Sequence, residues 1–214
     1  MSADAYTTTR IQLRGIAESA IAGPQHRVAG TIRLAVRPAG FIGTAISVEV
    51  QGTDLLWQQG RIPLTGSLST LAEAAGLQFG PPTGVYDVTE PLAPDTELTI
   101  DPASAQVIYR SLYAGAQALI TFAEGQHPVL WPEHFDVAVT VGEANYGVSP
   151  GDSYHPRPYA YVGPWTPRAG AFWNAPFGAL LSLDVAAAET TLVADVAAFF
   201  SEGRRRLQAT RTET

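Results

Sequence analysis

"LWPEHFDVAVTV", residues 130–141, sets the reading of the whole chain. Phe135, Val137, Val139 and Val141 recur with a two-residue period, the signature of a strand with one buried face. That period puts Glu133, Phe135 and Val137 on one side and His134, Asp136 and Ala138 on the other. His134 and Asp136 are therefore expected to act together, and Glu133 would have to join them from the preceding loop.

The same period extends on both sides. Downstream, Asn145 to Val148, Pro158 to Val162 and Gly178 to Leu183 read as further strands. Upstream, residues 31–37, 44–50 and 55–58 form an earlier strand cluster, with Arg33 or Arg37 expected opposite Glu49. Helical spacing appears over Ile11 to Ile21, Ser67 to Ala75 and about Thr191 to Leu207. Another helix opens at Asp101-Pro102, a residue pair suited to the N-cap and the first helical position, and stops before Gly125. The expected fold is α+β, with antiparallel sheet built from two strand clusters and about four flanking helices. Residues 1–9 read as a flexible N-terminus and 209–214 as a flexible tail. Between them lies a single domain, 10–208, made of two halves (10–79 and 101–208) joined by a Pro- and Gly-rich connection at 80–100.

Composition narrows the chemistry. The chain has 214 residues and a formal net charge of −7, which opposes a nucleic-acid role because phosphate binding needs clustered positive charge. The run Arg204-Arg205-Arg206 reads as a solvated helix end. No apolar run reaches the roughly 18–20 residues of a membrane span, and no secretory leader is visible, so the expected location is cytoplasmic with no membrane partner. There is no cysteine, which removes thiolate nucleophiles, cysteine-ligated metal and iron–sulfur clusters. All thirteen basic residues are arginine, which removes a lysine-anchored pyridoxal cofactor.

Residues 131–177 hold half of the chain's twenty aromatic residues. They also carry His134 and His155, and they are dense in proline and glycine. Rigid loops presenting aromatic walls and a few polar groups suit a small-molecule pocket. The expected lining is Trp131, Tyr146, Asp152, His155, Tyr159, Tyr161, Trp165, Trp173 and Asn174. His134 with Asp136, and Glu133 as the third member, are the expected acid–base groups. A metal-dependent alternative would draw on His127, His134 and His155 with Glu133, Asp136 or Asp152, although their spacing matches no established ligand motif. A second alternative is non-catalytic: the same aromatics would anchor a protein interface, such as that of a homodimer.

"LWPEHFDVAVTV", "NYGVSPGDSYHPRPYAYVGPW" and "FWNAPFGA", with the earlier "GTIRLAVRPAGFIGT" and "GVYDVTEPLAPD", resemble a family of soluble proteins from GC-rich, actinobacteria-like bacteria. That family is known as a domain of unknown function. The resemblance implies that residues 130–178 are its signature region and implies no activity.

Overall fold

Ser2 starts the first helix well ahead of its apolar stripe. In the computed structural model, which describes residues 2–87 and 91–209, the Ser2 hydroxyl accepts the N–H of Ala5 at 3.1 Å. Helix α1 (Ala3–Ile16) follows from that cap, then a π-helical turn (Ala17–Ala22) and α2 (Gly23–Ala29). The expected flexible segment 1–9 is thus corrected from Ala3 onward. Its polar residues have a cap, a buried Tyr6, and a buried Thr9 whose hydroxyl accepts the N–H of Asp101 at 3.0 Å. Gly30 ends α2 in the left-handed region (φ 67°), with its N–H on the His26 carbonyl.

The architecture is α+β, with antiparallel sheet and, among the described residues, four helical stretches. The chain divides into two compact units. The first takes residues up to Tyr109 together with Val129–Phe135; the second takes Arg110–Pro128 and everything from Asp136. The division therefore falls inside a helix and at the Phe135–Asp136 junction, in place of the expected connection at 80–100.

In the first unit, β1 (Leu34–Arg37), β2 (Gly40–Gly43), β3 (Val48–Gln51), β4 (Asp54–Trp57) and β5 (Gly60–Pro63) pair in sequence order. A two-stranded ribbon, β6 (Thr65–Gly66) with β7 (Leu98–Thr99), lies apart from them, and β8 (Val129–Trp131) pairs with β1. The expected strand over 44–50 keeps only its second half: the chain turns at Pro38-Ala39 and pairs again at once from Gly40, so residues 44–47 become the bend that joins β2 to β3. Glu49 consequently faces Ile42 and Leu56, not Arg33 or Arg37. Helix α3 (Leu68–Ala75) forms as its caps demand: Ser67 Oγ accepts the N–H of Thr70, and Gly76 is left-handed. Phe41 centres the apolar interior, edge-on to Phe135 at 5.5 Å and to Tyr109 at 6.3 Å.

Helix α4 (Pro102–Phe122) begins at the Asp101 cap, whose carboxylate accepts the Ser104 N–H at 2.8 Å and hydroxyl at 2.6 Å. Its later turns belong to the second unit. There β9 (Asp136–Thr140), β10 (Ala144–Ser149), β11 (Tyr159–Pro164) and β12 (Ala179–Ser182) form an antiparallel meander, followed by α5 (Glu189–Ala209). Two glycines let the helices lie on this sheet. A Cβ at Gly115 would stand 2.6 Å from Val148, and one at Gly203 would stand 2.8 Å from Val162. Phe122, Tyr146 and Phe200 close the interior between them. The expected tail at 209–214 reduces to Ala209, the last residue of α5; the remainder lies outside the described residues. Among the described residues no helix is long and apolar enough to cross a membrane.

Candidate functional site

The opening stretch does not keep its period. Residues 132–135 form a turn, closed by the Phe135 N–H on the Trp131 carbonyl at 2.8 Å, and Phe135 itself is left-handed (φ 53°). Alternation therefore starts at Asp136. His134 is exposed in the turn and has no hydrogen-bond partner among the described residues, so the expected strand-borne His134–Asp136 pair is not formed.

Strand register shows what Asp136 meets instead. Val137, Val148 and Val162 occupy the face that α4 and α5 cover. The opposite face presents Asp136, Ala138, Gly147, Ser149, Tyr159, Tyr161, Leu180 and Ser182, because residues paired across an antiparallel sheet project the same way. Tyr161 donates its hydroxyl to the buried Asp136 carboxylate. Burial first, and then the Asp136 charge, push the Tyr161 phenol well above its ordinary pKa, so it stays a donor. Gly147 makes room for the ring: a Cβ there would stand 2.6 Å from the Tyr161 hydroxyl.

Residues 150–158 add the polar groups. Asp152 organises this loop, with Oδ1 accepting the N–H groups of Tyr154 (2.7 Å) and His155 (2.8 Å) and Oδ2 accepting the Tyr159 hydroxyl (2.5 Å). Burial and then Asp152 likewise raise the Tyr159 phenol. The His155 ring is held at both nitrogens. Nδ1 lies 2.9 Å from the Arg157 carbonyl and Nε2 lies 2.9 Å from the Ser182 hydroxyl. A carbonyl only accepts, so Nδ1 carries the proton; Nε2 of the neutral ring then accepts from Ser182. An oriented base contacting an exposed hydroxyl is the arrangement that activates a serine.

Edge geometry supplies one further donor. Leu183 N–H turns inward to the Pro158 carbonyl, and Leu180 N–H turns outward to Asn174 Oδ1 at 2.8 Å. By the two-residue period, the Ser182 N–H also faces the open edge. Beside the pair lies an aromatic ledge. Phe177 (36% exposed) packs on Tyr154 (53% exposed), Tyr159 and Tyr161 with ring centroids 5.5–6.3 Å apart.

Of the sequence-derived lining residues, Asp152, His155, Tyr159, Tyr161 and Asn174 meet here, together with Asp136. Tyr146 lies on the helix-covered face, against Phe122 and Phe200. Trp165 is 64% exposed beyond the end of β11, and Trp173 packs edge-on to Phe172. Trp131, with the Arg33 guanidinium 5.9 Å from its ring, belongs to the first unit, as do Glu133 and His134. Ser182 escapes sequence reading because its partner is 27 residues away and meets it only through the Tyr159–Ser182 register. Among the described residues no three His, Asp or Glu side chains gather as a metal site.

Glu133 has a separate role in the first unit. It adds to the burial that lifts Glu18, on the π-helical turn and 2% exposed, to about 7, against Arg14 and the Tyr86 hydroxyl, which lower it. The Tyr86 hydroxyl donates to Glu18 at 3.3 Å. No family model, curated protein or solved structure matches this chain.

Proposed function

We propose that the second unit binds a small molecule on the aromatic ledge and hydrolyses an ester carried by it. The observation that supports this reading most directly is the Ser182–His155–Arg157 carbonyl relay. Ser182 Oγ would attack the ester carbon while His155 Nε2 takes its proton. The outward Ser182 N–H is the donor available to the oxyanion. The C–O bond to the leaving group then breaks, and His155 returns the proton to the departing alkoxide. A water molecule repeats the cycle with His155 as base and frees the acid. Phe177 and Tyr154 give an apolar surface suited to an aromatic or alkyl acyl chain.

The test is covalent labelling with a fluorophosphonate, followed by peptide mass analysis, alongside turnover of p-nitrophenyl butyrate. Label on Ser182, and loss of both signals in Ser182→Ala, would support the reading. Absence of label at Ser182 in folded protein would end it.

Exposure of Tyr154 and Phe177 also favours a second, non-catalytic reading in which the ledge docks a second copy of the chain. Sedimentation of wild type and Tyr154→Ser separates the two, since a dimer lost in the variant belongs to the interface reading.

A further inference from the structure

The same unit contains a cavity of about 510 Å³ that shares no residue with the ledge. Its walls come from the end of α4, the β9–β10 turn, the segment after β11 and the last turns of α5. Phe122, Val141, Pro164 and Leu207 make it apolar on several sides. Two arginines line it in different conditions. Arg204 is already engaged: its guanidinium lies 3.8 Å from the Phe122 ring centroid and donates to the Phe122 carbonyl at 2.9 Å. Arg168 is half-buried and has no hydrogen-bond or ionic partner among the described residues. A guanidinium that faces a cavity with its Nε–H buried and unbonded is an incomplete arrangement, because its fork of donors matches a carboxylate or phosphate. Glu124 and Glu143 also contribute to the lining, where they suit hydroxyl or ammonium groups on the rest of a ligand.

We infer that this cavity is a binding site for a small polar molecule bearing an oxyanion, received by Arg168 between the α4 and α5 ends. The volume falls within the few hundred cubic ångströms typical of metabolite pockets. The site is independent of Ser182 and stands whether or not the ledge supports hydrolysis.

Calorimetric titration of the full chain with inorganic phosphate, glycerol 3-phosphate, glutamate and succinate tests it, with thermal melting as a parallel readout. Saturable millimolar or tighter binding of at least one probe is expected, weakened about tenfold or more in Arg168→Gln. Preference among the four separates phosphate from carboxylate as the recognised group. Arg168→Gln should fold as wild type, since it breaks no hydrogen bond or ion pair among the described residues, and its ligand-free melting checks this. Ser182→Ala should bind the probe unchanged. No saturable binding of any probe, or binding equal in wild type and folded Arg168→Gln, overturns the proposal.

Discussion

The Ser182 hydroxyl and His155 Nε2 stand 2.9 Å apart although 27 residues separate them, and the imidazole is fixed from behind by the Arg157 carbonyl. The histidine that sequence spacing favoured, His134, has no such partner. His155→Ala is therefore expected to abolish fluorophosphonate labelling of Ser182, and His134→Ala to leave it unchanged. Exposed His134 should also change stability by no more than about 0.5 kcal/mol on urea unfolding.

Asp152 holds three donors at once, so Asp152→Asn removes charge from the bonds that shape the loop. A loss of about 1.5–3 kcal/mol is expected on chemical denaturation, the range for hydrogen bonds to charged groups. Labelling at Ser182 should slow in protein that is still folded, because one of the weakened bonds holds the His155 backbone.

Gly147→Ala places a methyl against the Tyr161 ring, which Asp136 holds by its hydroxyl. Overpacking of this kind costs about 1–3 kcal/mol. A double-mutant cycle with Tyr161→Leu should recover part of that loss, since the shorter side chain yields the space.

Glu18 gives the stability a pH dependence of unusual sign. Its folded pKa of about 7 lies above the ordinary carboxyl value of 4.5, so the folded chain holds this proton more tightly than the unfolded chain. The resulting stabilisation is complete below about 4.5 and is lost as pH rises through 7. Glu18→Gln, neutral at every pH, should flatten the decline between pH 5 and 8, measured as urea midpoints across that window.

Phe135→Ala removes a buried ring from the Phe41 contact and should destabilise by about 3–5 kcal/mol. Its left-handed backbone recovers little of that, because alanine also carries a Cβ.

What the sequence made legible was periodic or local. The Ser67 and Asp101 caps, the strand clusters and the α+β class all follow from signals within a few residues. The Phe135 turn was hidden because Phe135 happens to continue the apolar alternation of Val137 and Val139 while its backbone leaves the extended region. The first turns of the N-terminal helix, ahead of the helical spacing at Ile11, were hidden because Tyr6 and Thr9 are buried amid polar neighbours. In the candidate site, Asp152, His155 and the tyrosines were readable as one aromatic segment. Ser182 and Phe177 join them only through pairing and packing across the sheet.

Asn174 has a consequence beyond the alternation it reveals. Its side-chain amide donates to the Leu180 carbonyl at 3.0 Å and accepts the Leu180 N–H at 2.8 Å, the two bonds a neighbouring strand would make there. One residue thus imitates an extra strand on the outermost edge of the meander. Another chain seeking to extend the sheet finds the Leu180 position taken, which restricts strand addition at that point of the edge.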